Sequence, residues 1–372
     1  MAFGDKILNQ ARRHSIQLEK LAAVELCDRL NEYLPPSYGA RKMAEAYSRY
    51  ADNGINTVDE YYQFRQTFTE TKGVSNQVFS KVLASHIKPE PYSKSTMFDV
   101  EDRDGTIRGA VRSLQRDGLW IAKFKVPDNL IESLKAKSLE RFVAREGDAI
   151  DRMFAGDKTA PAQVKSNYSW VTTFDEMYRI SSDPLLTTIV HQYLGVPPIF
   201  DTPVVFLNSA APLDEKGLSD HAQLYHHDLH RLQFVKLFIY LTDVDAGSGP
   251  HAMIKGSHRS RPDAMWADGR HTDAAVTASG LMANETRITG KAGTVFLVDT
   301  SALHKGVHPD NNARLLAQVQ YTNSLFGKPL PSISRIYQEA RVRKDDADLA
   351  AATALVKKYA EFAGVRFMQA LI

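Results

Sequence analysis

His226 and Asp228 stand two apart in the run L-Y-H-H-D-L-H. In an extended segment, residues i and i+2 share a face, so an imidazole and a carboxylate at this spacing can reach one point. His304 lies 76 residues beyond Asp228, in G-T-V-F-L-V-D-T-S-A-L-H-K-G, and Arg314 follows ten residues later. Two imidazoles and one carboxylate leave an octahedral metal with open positions, the ligand set of non-haem Fe(II) oxygenases. An arginine just beyond the second histidine can grip a carboxylate in bidentate fashion. The residues therefore point to Fe(II), 2-oxoglutarate and O2 chemistry, with His226, Asp228 and His304 holding the metal and Arg314 the cosubstrate. Nine of the 12 histidines fall between His221 and His308, which favours a site in that quarter of the chain.

Other ligand patterns compete. His226 and His230 are spaced i,i+4 as in a helical zinc site, but His227 stands where H-E-x-x-H needs its glutamate. The following F-V-K-L-F-I-Y-L also alternates like a strand. In an extended segment His227 points away from its neighbours and is expected to be exposed or hydrogen-bonded. His308 rivals His304, which is preferred because it ends an apolar strand and precedes Gly306. His251 and His258 read as loop residues, and Ser257-His258-Arg259 as a pocket rim or a solvated loop. Lys236 shares a strand face with Phe234, Phe238 and Tyr240, so its ammonium finds an acidic partner or snorkels to solvent. Gln223, three residues before His226, is a candidate contact to cosubstrate or substrate. Asn167, Tyr168 and Trp170 line a substrate entrance or belong to aromatic core.

These residues need elements to hold them. Residues 7–30, 38–51, 57–69 and 75–86 have helical spacing, with Pro35-Pro36 ending the first run and Thr57/Glu60 a capping box for the third. K-P-E-P-Y-S-K-S breaks the helices. Beyond Gly109 come a short helix, a turn at Gly118, a strand, helix over 129–154, a polar loop over 157–164 and a helix over 185–194 stopped by Gly195. From 199 to 324 short apolar runs alternate with Gly/Asp/Ser turns, the pattern of a sandwich or jelly roll. Helix returns in the tail, over 346–362. The chain divides into a helical N-terminal extension (1–95), a jelly-roll domain (96–330) and C-terminal helices packing on it (331–372). With 43% hydrophobic and 24% charged residues and a net charge of +2, the composition is that of a globular protein with no global pull toward nucleic acid or a membrane. The lone Cys27 excludes an intramolecular disulfide and a cysteine-based zinc cage and fits a reducing, cytoplasmic setting. The expected partner is a small-molecule substrate, with the N-terminal helices a candidate surface for a homo-oligomer.

The run L-F-I-Y-L-T-D-V-D-A-G-S-G-P-H-A-M-I-K-G-S-H-R resembles the central motif of the phytanoyl-CoA dioxygenase family. The H-x-D before it and L-V-D-T-S-A-L-H-K-G…R after it complete the pattern, over roughly Gly109 to Ser324. The resemblance implies an α+β chain with a double-stranded β-helix core, Fe(II) at His226, Asp228 and His304, and 2-oxoglutarate held by Arg314. It also implies hydroxylation of an unactivated C–H of a small or medium metabolite, with release of succinate and CO2. Lys255 departs from the family's proline. Gly306 departs from the hydroxyl residue that some members place near 2-oxoglutarate, leaving Thr300, Ser301 or Lys236 to make that contact. The alternatives are a cupin-like metal enzyme that uses no 2-oxoglutarate and a non-catalytic jelly-roll binding module.

Overall fold

The structure, a computed structural model, describes residues 39–329 apart from 54–55, 88–91, 167 and 172. It adds scattered positions between 20 and 29 and a few in the C-terminal tail. The helices expected over 7–30 and 346–362 therefore lie almost wholly outside the described residues, though the positions described between 20 and 29 are helical. Three helices lead in: α1 (Ala40–Asn53), α2 (Val58–Glu70) and α3 (Val74–His86). The capping box of α2 is present: the Thr57 hydroxyl accepts from the Glu60 amide at 3.2 Å, and the Glu60 carboxylate accepts from the Thr57 amide at 3.0 Å. Helix α4 (Arg103–Asp117) starts earlier than its apolar spacing suggests, because Asp102 caps it through the Gly105 amide. It stops at Gly118, whose φ of +73° favours glycine, and turns directly into strand β1 (Leu119–Lys125). The helix expected over 129–154 is two: α5 (Asp128–Glu146) and a short helix at Ala149–Phe154, parted at Gly147 with φ +61°. Helix α6 (Pro184–Leu194) ends at Gly195 as anticipated.

Two sheets form the core, antiparallel throughout except where β10 pairs β3 in parallel. The larger runs β1–β7–β4–β9–β3, with β2 pairing β3 on the side and the two-residue β10 (Arg366–Phe367) joining at the edge. Its members are β2 (Gln163–Lys165), β3 (Ile199–Asn208), β4 (Phe234–Tyr240), β7 (Thr294–Val298) and β9 (Arg314–Thr322). The smaller sheet is β6–β5–β8, formed by β5 (His251–Ile254), β6 (Glu285–Ile288) and β8 (His304–Gly306). Strands β4, β7 and β9 are buried along their whole length, because both faces of the larger sheet are covered. One face carries Val235, Leu237, Ile239, Leu297 and Val319 into a cluster with Tyr47, Phe64, Phe79 and Leu185 of the helices. The other carries Phe238, Tyr240, Phe296 and Leu316 against Met253 and Ile288 of the smaller sheet. Two sheets closing face to face, with helices behind one of them, make the expected double-stranded β-helix. Strands β6 and β8 were not legible in the sequence, being too short to show alternation. No described helix is long and apolar enough to cross a membrane.

Candidate metal centre

Backbone pairing brings the two distant histidines together. The His226 amide donates to the His304 carbonyl at 3.0 Å and the His304 amide to the His226 carbonyl at 2.9 Å, so the rings lie side by side, centroids 4.3 Å apart. Here the sequence expectation needs one correction: His304 does not end the apolar strand β7 but opens β8. The chain crosses from the larger sheet to the smaller one between Asp299 and Leu303, and this crossing delivers the ring to His226. Asp228 is fixed two residues on by its own amide, which donates to the Thr300 carbonyl at 2.7 Å. Ligand atoms from His226, Asp228 and His304 all lie within 4.8 Å of one another. The Asp228 carboxylate oxygens sit 3.9 Å from His226 Nε2 and 3.5 Å from His304 Nε2.

The tautomers suit a metal. His226 Nδ1 contacts the Leu224 carbonyl and His304 Nδ1 the Ala302 carbonyl, each at 2.9 Å. A carbonyl only accepts, so the ring proton belongs on Nδ1 and the Nε2 lone pair faces the carboxylate. Burial holds both imidazoles below their ordinary pKa and thus neutral, the form that binds metal. Burial is the largest single effect and pushes the Asp228 carboxyl up, but the charge of Lys236 together with smaller contributions from His230, His304 and His226 outweighs it and holds the group well below the carboxylate range. The Lys236 ammonium lies 2.6 Å from Asp228 Oδ2. Of the two fates open to that lysine, the acidic partner is the one realised, and the partner is the metal-site carboxylate.

Arg314 opens β9 and is 4% exposed. Its Nη1 donates to the Gly249 carbonyl, its Nη2 to Asn208 Oδ1 at 3.2 Å, and its Nε has no partner. No carboxylate among the described residues pairs with it, and burial lowers its pKa with only Tyr240 opposing. A cation held in this way is costly unless an anion joins it, so the residues fit a carboxylate ligand. Gly306 lies beside it: a Cβ there would stand 3.3 Å from Arg314 Nη2.

The remaining candidates divide. Thr300 is fully buried and its Oγ1 has no partner, while its carbonyl anchors Asp228. Gln223 is buried, and its Oε1 receives His308 Nδ1 at 2.7 Å, which accounts for His308 outside the triad. His227 is neither exposed nor hydrogen-bonded, contrary to expectation. It is buried, both ring nitrogens are unpartnered, and the ring packs on Phe68 of α2 at 5.8 Å. Burial, aided by Arg261 and Arg65, holds its pKa down to about 2. His251 is no loop residue: it opens β5 and turns a buried ring toward His304. His258 and Arg259 line a separate cavity of about 480 Å³ with Phe68, Leu229, Asp299 and Ser301. Trp170 is core, packed on Phe142 and Phe174. Asn208 and His251 were missed by sequence reasoning, since no local pattern marks either.

Fold and site together define a double-stranded β-helix carrying a two-histidine, one-carboxylate cluster that could hold a metal ion. The family model described as "Phytanoyl-CoA dioxygenase (PhyH)" matches residues 114–309, just over half of the chain. The chain belongs to this family. No curated protein matches it. Among solved structures, the chain is similar to AviO1 from Streptomyces viridochromogenes Tue57, with 20% identity, 63% of this chain and 100% of that one covered, and a TM-score of 0.42. It is likewise similar to HygX from Streptomyces hygroscopicus, determined with nickel and 2-oxoglutarate bound (14% identity, 59% and 88% covered, TM-score 0.43). The epimerase SnoN, determined with Fe3+, alpha ketoglutarate and nogalamycin RO, shows 17% identity, 58% and 83% coverage and a TM-score of 0.42. The family assignment rests on the family model.

Proposed function

We propose that the protein is an Fe(II)- and 2-oxoglutarate-dependent oxygenase that hydroxylates an unactivated C–H of a small or medium metabolite, releasing succinate and CO2. The observation that carries this reading is the pairing of the buried His226–Asp228–His304 set with a buried Arg314 that has no carboxylate partner among the described residues. Bound iron would supply the O2 activation that no amino-acid side chain provides. His226 and His304, held as Nδ1–H tautomers by backbone carbonyls, present their Nε2 lone pairs to it. Asp228 brings the single negative charge, and Lys236 keeps that charge ionised in a dry setting. Arg314 fixes the far carboxylate of 2-oxoglutarate by charge-assisted hydrogen bonds. Phe68 and Arg65 of α2, which reach His227 and Asp268, make the N-terminal helices part of the wall near the site.

The test is an anaerobic titration with Fe(II) and then 2-oxoglutarate, reading the weak visible charge-transfer band of the chelate. The wild type is expected to develop the band, and Arg314→Ala to need at least tenfold more 2-oxoglutarate, the loss of one charge-assisted interaction. Iron binding with no band would instead favour a cupin-like enzyme without this cosubstrate. Failure to bind iron would leave a non-catalytic module.

A further inference from the structure

His251 opens β5 directly opposite Gly306 of β8, and Met253 lies opposite His304, so His251 and His304 are diagonal neighbours on one sheet face. The imidazole is 5% exposed and packs against Phe238 at 4.7 Å, Phe296 at 5.8 Å and His304 at 5.5 Å. Its Nε2 is buried and has no hydrogen-bond partner. It is not a member of the cluster whose ligand atoms converge for a metal. Opposite the ring Gly306 supplies no side chain, and beyond that gap lies Arg314 Nη2. A buried ring nitrogen with no partner costs free energy unless something bonds to it, and apolar packing alone would be met better by leucine or phenylalanine.

We propose that His251 is a cosubstrate-positioning residue, whose Nε2–H donates to a carboxylate oxygen of 2-oxoglutarate lying between the metal and Arg314. A carboxylate oxygen can only accept, so this bond would fix the ring proton on Nε2. The bond also places a donor where the missing side chain of residue 306 offers none. The proposal rests on the functional reading above.

The experiment is a binding measurement, not an activity assay. Fe(II) affinity and 2-oxoglutarate affinity are determined anaerobically for the wild type, His251→Phe and His251→Gln, with thermal unfolding of each metal-loaded protein. His251→Phe, which keeps an aromatic ring but no donor, is expected to weaken 2-oxoglutarate about tenfold, the loss of one charge-assisted hydrogen bond. Its iron affinity should stay within twofold of the wild type. His251→Gln, which regains an N–H donor, should recover part of the loss. A merely packing role predicts the reverse, with Phe tolerated and Gln impaired. Unchanged 2-oxoglutarate affinity in both variants, or parallel losses of iron and cosubstrate, overturns the proposal. A wild type that binds iron but no 2-oxoglutarate removes the functional reading, and this proposal with it, before any variant is compared.

Discussion

Arg231 and Arg314 are 3% and 4% exposed, yet their surroundings differ completely. Arg231 donates from Nε to Asp201 Oδ2 at 3.0 Å and from Nη1 to the carbonyls of Lys328 and His230. Asp201 in turn accepts from Gln320 Nε2 at 2.7 Å. Arg314 has a carbonyl and an amide oxygen for partners, no carboxylate, and an unpartnered Nε. In the first case the chain compensates its own buried charge and ties β3, β9 and the segment before β4 together. In the second, no carboxylate among the described residues supplies the counter-charge, the one that the proposed cosubstrate would bring. Burial of an arginine thus says little by itself; what sits across from it separates structure from binding.

Unfolding the metal-free protein in urea sharpens this contrast. Arg231→Met takes the guanidinium counter-charge from the buried Asp201 and is expected to cost about 3–5 kcal/mol, whereas Arg314→Met removes a cation with no carboxylate partner among the described residues and should change stability by no more than about 1 kcal/mol. Equal losses would mean that Arg314 is a structural residue and would remove the main support for a cosubstrate site. Lys236 falls between the two. Its ammonium is the counter-charge of Asp228 in the absence of metal, so Lys236→Met should destabilise the metal-free protein by about 3 kcal/mol. A divalent cation at Asp228 replaces that charge, and saturating metal should restore most of the loss by linkage. A deficit that is the same with and without metal would show that the lysine acts through packing alone.

What was legible in the sequence follows how local each signal is. The H-x-D pair, the distal histidine and the following arginine could be read as one site from residue type and order, and the Thr57 box and the Gly118 stop from chemistry within four residues. The direct pairing of His226 with His304 could not, because strand register is settled by sheets that close across the whole core. His227 is the plainest failure. Its i+1 position keeps it out of the His226–Asp228–His304 cluster, but Phe68, 159 residues earlier, covers it. Lys236 remained open for a related reason: its strand face was clear, while the identity of the group across the barrel was not. His251 was misread as loop because the run A-M-I-K after it reads as a strand, whereas a polar residue directly after Gly249-Pro250 reads as turn, and the strand begins one residue earlier.

The smallest expected effect tests how finely the Arg314 side is built. Gly306 has no left-handed φ to protect, so a side chain is conformationally allowed there. The constraint is spatial, since a Cβ would press to 3.3 Å on Arg314 Nη2, while the Ala222 carbonyl stays at ordinary contact distance. Gly306→Ala adds only that pressure and should weaken 2-oxoglutarate binding about twofold. Gly306→Ser adds a hydroxyl at the same point, and one charge-assisted hydrogen bond to the carboxylate, about 1.5 kcal/mol net, should outweigh the crowding and tighten binding a few-fold. The gain should be larger in the His251→Phe background, where the serine would replace a donor that has been removed. Equal gains in both backgrounds would mean that residues 251 and 306 serve different atoms of the ligand, and the carboxylate at Arg314 would then take its second donor from elsewhere, with the unpartnered Thr300 hydroxyl the one to try.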